Sequence, residues 1–511
     1  MNPNLTNKTS KAIGRCALRS TGTVAAPFLQ RFLFGLFVLL LAHSAIAAEL
    51  TRALPRPNFL FIYTDDQRYD AMSVVQREQG ARARFPWFKT PHMDRLAAEG
   101  VRFRNAFVVS SLCAPSRAVY LTGRYNHLNG VASNFRPFPA TNFTHATLLR
   151  AAGYTTAYVG KWHMDGQRER PGFDHHATYI GHSRYVDPVF IVNGKEIRKK
   201  GWIDDLATDE AIAFLKAQTN AAKPWLLVLG FKSPHGPFTP PPRATNRFAG
   251  ETARAVANFN HVPPYLAGLP GRIQRAAAAT NAIVPVNLNY FRCISAVDDC
   301  LGRLLEALEA LQLSRNTIVI YTSDNGYYLG EHGLGDKRSA YDESLRIPFL
   351  VRYPALGDST RGRVVDEMIL NLDLAQTVLD FAGIDAPAAM QGRSWRPLFE
   401  GRAIPWRQSW FYEYFAERQN NSRVPDITAV RTVDAKLIRY PGYEDWTELY
   451  DLKRDPYETK NLFRDAAHRA LRAHMEAEHD RLAKEVDYRV PEYTDRPNWW
   501  GKPLDQIEPR N

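Results

Sequence analysis

The chain has 511 residues, 45% hydrophobic and 12% aromatic, which is enough apolar material for a large buried core and excludes a disordered polymer. Its formal charge of +12 is carried by scattered Lys and Arg rather than by a clustered stripe, which argues against nucleic acid as a partner. One large domain plus a smaller one is the natural organisation at this length.

The first 48 residues contain no acid and five bases, Lys8, Lys11, Arg15, Arg19 and Arg31. An apolar run from Phe32 to Ala42 follows the bases, and Ala45-Ile46-Ala47 then forms an AxA cleavage pattern. A bilayer span needs about 20 apolar residues. The run is shorter, so a secretory signal over residues 1–48 is predicted, with an uncleaved anchor as the alternative. No other stretch is apolar enough to span, so no stable membrane span is expected after cleavage and the protein is placed in the periplasm or outside the cell. Loss of the leader brings the charge to about +7, which suits an anionic substrate and equally an ordinary solvated surface.

Strands are predicted at Asn58 to Thr64, Tyr154 to Val159, Trp225 to Phe231, Thr317 to Thr322 and Pro348 to Tyr353. Helices fill Pro91 to Glu99, Asp204 to Gln218, Asn287 to Leu313 and Leu372 to Ala382. The Pro91 helix has Thr90 at its N-cap, Pro at its first position and Gly100 past its end. The alternation predicts an α/β fold with a large, mostly parallel sheet sandwiched by helices. After Ala386 to Ile404, shorter aromatic strands appear at Trp410 to Phe415, Ile427 to Arg431, Ala435 to Tyr440 and Thr447 to Leu452. With a helix near Ala466 to Ala483 they read as a smaller C-terminal antiparallel-sheet subdomain. The expected division is a catalytic domain at 49–385 and this subdomain at 386–511.

Cys16 falls in the leader, leaving Cys113, Cys293 and Cys300. The last two lie on one predicted helix, seven residues and roughly 10 Å apart, beyond the roughly 7 Å a disulfide tolerates. Cys113 has no evident partner.

Polar clusters appear where the predicted strands end. Asp65 and Asp66 follow the first strand, Lys161 and His163 the second, His235 the third, and Asp324 with Asn325 the fourth. Open α/β sheets bind ligands outside the carboxyl ends of their strands, so these groups converge on one site. Three carboxylates and an amide make a hard oxygen site suited to Ca²⁺ or Mg²⁺ rather than zinc, and three like charges in one crevice call for a cation. Lys161, His163, His235 and Lys337 supply cationic or proton-donating groups around an anionic ester. Taken singly, each of these residues is equally a turn former, a surface lysine or a structural histidine.

Around Cys113 the sequence reads SLCAPSRAVYLTGR, and Pro115 stands where a helix could begin. This stretch resembles the type I sulfatases of the alkaline-phosphatase-like superfamily. Their signature CxPSRxxxLTGR is met by Cys113, Pro115, Ser116, Arg117, Leu121, Thr122, Gly123 and Arg124, and a second signature is met by GYTTAYVGKWH at Gly153 to His163. The resemblance implies a sulfuric ester hydrolase in which a maturation enzyme oxidises Cys113 to formylglycine during export. The hydrated aldehyde then attacks sulfur and ejects sulfate by collapse. It further implies one calcium ion held by Asp65, Asp66, Asp324 and Asn325 with residue 113. Arg117 orients the hydrate, Lys161 and Lys337 hold sulfate oxygens, His163 partners the nucleophile, and His235 protonates the leaving oxygen.

Phosphonate and phosphodiester hydrolases of the same superfamily, which typically carry histidine where this chain has Asn325, are one rival. An inactive carbohydrate-binding relative is the other. The segment LGEHGLGDKRSAYDESLRIPFLVRYP resembles bacterial glycan sulfatases of the N-acetylglucosamine-6-sulfatase and mucin-desulfating types, which implies a sulfated carbohydrate substrate with a 6-sulfated hexosamine foremost. His182, Arg184 and His332 are candidates for the substrate side, each also readable as a structural histidine or solvated arginine.

Overall fold

Asn58–Thr64, the run NFLFIYT, is apolar on both of its faces, a pattern that fits only a strand covered from both sides. The computed structural model describes residues 55–164, 170–259, 261–267, 282–417 and 423–491. The predicted leader and its cleavage site lie outside the described residues. Within them, no helix is long and apolar enough to cross a membrane.

The main sheet has ten strands: β1 (Asn58–Thr64), β2 (Val101–Phe103), β3 (Thr155–Lys161), β4 (His175–Tyr179), β5 (Val189–Val192), β6 (Lys195–Arg198), β7 (Trp225–Gly230), β8 (Thr317–Ser323), β9 (Phe349–Arg352) and β10 (Arg363–Val365). Their spatial order is β10-β2-β9-β8-β1-β7-β3-β4-β5-β6. The central block β8-β1-β7-β3-β4 is parallel throughout, with Thr64 beside Ser323, Tyr63 beside Gly230 and Gly160 beside Gly230. The carboxyl ends of four central strands therefore stand in one row.

Helices α1 (Pro91–Glu99), α2 (Cys113–Thr122), α3 (Ile203–Ala217), α4 (Leu288–Ala310) and α5 (Leu374–Ala382) cover the two faces. Leu60, Ile62, Leu227, Leu229, Val319 and Tyr321 point to the layer of α1, α3 and α4. Phe59, Phe61, Leu226, Val228, Ile318 and Ile320 point to the layer of α2 and α5. This is the two-residue period of strands buried on both sides.

A separate antiparallel sheet follows, formed by β11 (Ser409–Tyr414), β12 (Ile427–Thr432), β13 (Ala435–Arg439) and β14 (Glu448–Asp451) in that order. Helix α6 (Arg469–Glu485) seals it, burying Met475 and Leu482 with Phe411, Val430 and Leu437. The same core takes in Val109, Leu112 and Val119, and the Glu413 amide donates to the Val109 carbonyl at 3.0 Å. The smaller sheet thus buttresses the segment that enters α2.

The predicted core elements are all present, with ends displaced by at most a few residues. Thr90 occupies the N-cap of α1, but its hydroxyl bonds Ser73 rather than the helix amides. Those amides, from His92 and Met93, donate to the Asp298 carboxylate of α4 at 3.1 and 2.8 Å. Cys293 and Cys300 are buried free thiols on α4, as their spacing requires.

Candidate active site

Helix α2 begins at Cys113 because Leu112 is extended (φ −157°, ψ 138°) and Pro115 sits in the first turn, where a missing N–H costs nothing. The Ser116 amide closes the first helical bond to the Leu112 carbonyl at 2.8 Å. Cys113 is therefore presented at the positive end of a buried helix, fully inaccessible, with Sγ 3.3 Å from Asp65 Oδ1. Burial and the Asp65 charge push its thiol well above the ordinary range, so the free thiolate is disfavoured.

Asp65 and Asp66 leave the end of β1, and Asp324 and Asn325 the adjoining end of β8. Asp66 has φ 74°, an unusual conformation for a non-glycine residue. Its amide donates to Asp324 Oδ1 at 3.1 Å and its carbonyl accepts from the Tyr290 hydroxyl at 2.8 Å. Tyr290, on α4, thus fixes the strained turn; nothing in its local sequence marks it for this task.

Three buried cations pair with the three carboxylates. Arg117 donates to Asp324 through Nε at 2.9 Å and Nη2 at 2.7 Å, and its Nη1 reaches the Lys161 carbonyl at 2.5 Å. The Lys161 ammonium bonds Asp65, and Lys337 bonds both oxygens of Asp66 at 2.6 and 2.8 Å. Room for the Arg117 bond exists because residue 230 is glycine: a Cβ there would lie 2.8 Å from the Lys161 carbonyl oxygen and 3.2 Å from Arg117 Nη1. Gly160, with φ 89°, faces it in register.

Despite burial, the Lys161 ammonium holds the Asp65 carboxyl well below its usual range. Burial and the Asp65 charge push Asp324 up, to about 7. Asp324 thus feels the neighbouring Asp65 charge in spite of its own Arg117 partner. The ligand atoms of Asp65, Cys113 and Asp324 lie within 4.8 Å of one another. Asn325 donates its Nδ2 to Asp66 Oδ1 at 2.6 Å, while its Oδ1 is buried without a hydrogen-bond partner. An orphaned amide oxygen beside three carboxylates fits a hard divalent cation.

Three imidazoles line the neighbouring wall. His182 packs between His163 and His235, with ring centroids 4.1 and 4.2 Å away. His235 shares its Nδ1 with the Gly236 carbonyl at 2.7 Å, and its Nε2 lies 3.9 Å from Asp66 Oδ2. Burial lowers the pKa of His163 and of His235, with Lys161 adding to the effect.

All the residues predicted for the site, Cys113, Asp65, Asp66, Asp324, Asn325, Arg117, Lys161, His163, His235 and Lys337, are thus brought together. Of the substrate-side candidates, His182 joins the wall and Arg184 is exposed nearby in sequence. His332 does not join it: it is buried against Tyr341, at 3.7 Å between ring centroids, and bonded to Asn258 within a cluster with Glu343 and Glu458. His332 is thus the structural histidine that was its alternative reading. Lys232, unremarked in the sequence, proves to be buried beside this wall.

A parallel sheet whose strand ends gather carboxylates, cations and a helix-borne nucleophile position defines a hydrolase of anionic esters. The sulfatase family model matches residues 57–384, and the model for the C-terminal part of N-sulphoglucosamine sulphohydrolase matches 330–485. An N-acetylglucosamine-6-O-sulfatase of Bacteroides thetaiotaomicron is 33% identical, over 80% of this chain and 83% of that protein. A solved structure of a protein in complex with its substrate D-glucosamine-2-N,6-O-disulfate is 31% identical, with TM-score 0.72, over 86% of this chain and 100% of that one. The phosphonate monoester hydrolase of Agrobacterium radiobacter, at 22% identity and TM-score 0.67 over 86% of this chain and all of that one, shares the fold. The chain belongs to the sulfatase family and is a sulfuric ester hydrolase.

Proposed function

We propose that this protein removes sulfate from sulfated carbohydrates, with a 6-sulfated hexosamine as the leading substrate, using formylglycine made from Cys113 and one bound calcium ion. The observation that carries this reading is the meeting of Cys113, Asp65 and Asp324 at the strand ends with a cation on each carboxylate. The names of the relatives, an N-acetylglucosamine-6-O-sulfatase and a protein complexed with a glucosamine disulfate, support the substrate class.

Asp65, Asp66, Asp324 and Asn325 would hold the ion, which supplies positive charge for the sulfate oxygens, while formylglycine supplies a hydrated aldehyde as nucleophile. Arg117 fixes Asp324 and the end of β3 at once, so it positions the nucleophile's surroundings. The Lys161 and Lys337 ammonium groups are the donors for sulfate oxygens. His163 stands as the nucleophile's proton partner. His235, pinned through Nδ1, turns Nε2 into the site to protonate the departing sugar oxygen. Its depressed pKa is raised when an anionic ester arrives among the lysines that depress it.

Because Cys113 is fully buried, its oxidation by a maturation enzyme must precede folding, which accords with modification during export to the periplasm or beyond. Two experiments test the proposal. Mass spectrometry of the peptide containing Cys113, from a host with the maturation enzyme, should show the aldehyde; thiol throughout would favour an inactive relative. Defined 2-, 3-, 4- and 6-sulfated mono- and disaccharides, scored by released sulfate, should be turned over with preference for the 6-sulfate. Turnover of aryl or choline sulfate alone would overturn the glycan assignment.

A further inference from the structure

Past the end of β7 the chain runs through Phe231 and Lys232 to His235. Lys232 is 1% exposed, yet its Nζ has no hydrogen-bond partner among the described residues. Arg117, Lys161 and Lys337 each own a carboxylate, so among the described residues of the site Lys232 is the cation in surplus. Of the carboxylates whose charge reaches Lys232, Asp65 and Asp66 are bonded by Lys161 and Lys337, and Asp204 is committed to the backbone amides of Lys232 and Ser233 at 2.8 and 3.0 Å. The ammonium lies 4.7 Å from the centroid of Tyr185, whose hydroxyl bonds the His235 carbonyl. That contact ties Lys232 to the wall carrying His182 and His235. Its charge lowers the pKa of both imidazoles, as Lys161 does. Burial and the Lys161 charge push Lys232 itself down to about 8, so it is still largely protonated at neutral pH.

A purely structural role explains this arrangement poorly. A buried ammonium with no hydrogen-bonded anion is costly, and a methionine would cover Tyr185 equally well. Unsatisfied donors of this kind are retained where a ligand completes them.

We propose that Lys232 is a substrate-binding residue whose ammonium receives an anionic group of the substrate on the His182 and His235 side of the site. The inference rests on the sulfatase reading above. The anion is either the sulfate being cleaved or a second acidic substituent on the same sugar, and the two give different results.

The test is Lys232→Met, with Lys232→Gln as the second variant should the first not fold, each assayed with a monosulfated sugar, its disulfated counterpart and inorganic sulfate as inhibitor. Loss of a charge-assisted bond should raise KM by about tenfold or more while kcat changes much less. If Lys232 holds the scissile sulfate, all three ligands weaken; if it holds a second anion, only the disulfated sugar does. Tm and calcium content should be unchanged, or Tm higher, because an unpaired buried charge is gone. Unchanged KM and inhibition, or weakening only in step with a fall in Tm, would overturn the assignment. Absence of sulfate release by the wild-type protein itself would instead overturn the functional reading on which the assignment rests.

Discussion

Inside the cleft, Arg117, Lys161 and Lys337 neutralise Asp324, Asp65 and Asp66 one for one, which lets three carboxylates share a buried crevice. In the proposed mechanism His235 is the group that protonates the leaving oxygen through Nε2, its Nδ1 being already engaged by the Gly236 carbonyl. A sugar alkoxide needs a proton as it departs, whereas nitrophenolate hardly does. His235→Ala should therefore cut kcat on a 6-sulfated hexosamine by about 10²–10⁴ and on nitrophenyl sulfate far less. Steady-state kinetics on both substrates check this, and equal losses would assign His235 another role. Most of these residues were legible because they cluster immediately after strands and within two long signatures. Tyr290 and Lys232 were not: a tyrosine inside a helix and a lysine in a loop carry no local sign of burial, which arises only from packing across hundreds of residues. His332, equally readable as a structural histidine, is one: it is buried against Tyr341 and bonded to Asn258.

At the level of elements, the site depends on helices holding the sheet in place, and one of them is capped from outside. The α1 amides that Thr90 was expected to bond are satisfied by Asp298, a buried carboxylate on α4. Asp298→Ala removes this cap and leaves buried donors unpaired, so it should cost about 1–3 kcal/mol in urea titrations with little change in KM. A second helix gives a pH signature. His145 opens the helix His145–Ala151, is fully buried, and shares Nδ1 with the Leu121 carbonyl at 3.2 Å. Burial lowers its pKa from 6.5 to about 4. The unfolded chain thus takes up the proton first as pH falls, and stability present above about 6.5 is lost towards pH 4, by about 3 kcal/mol. His145→Gln should flatten that acid limb in a series of thermal melts; an unchanged slope would exclude His145 as its source. The central strands and amphipathic helices were readable because both-face apolar runs and helical periodicity survive in the sequence alone. Strands β2, β4, β5, β6 and β10 were not, being three to five residues long and, for Lys195–Arg198, exposed throughout. Strands so short are specified by the neighbours they pair with.

Across the whole molecule, the proposed metal ligands join β1 and β8 while α4 holds Asp66 through Tyr290, so a bound ion would tie two central strands to the helical layer. An ion that binds the native state alone stabilises it by about 2.7 kcal/mol when present at a hundred times its dissociation constant. In a domain this large, each kcal/mol corresponds to roughly 2–4 °C in Tm or less. Exhaustive chelation should therefore lower Tm by several degrees and abolish sulfate release together. It should leave the protein folded, because Arg117, Lys161 and Lys337 still neutralise the carboxylates. Calcium added back should restore Tm and activity along one saturation curve. Asn325→Ala, which deletes the orphaned buried oxygen, should shift that curve to higher calcium without unfolding the metal-free protein. Full activity after chelation, with metal content measured as nil, would remove the ion from the proposal, whereas recovery of Tm without recovery of activity would confine its role to stability.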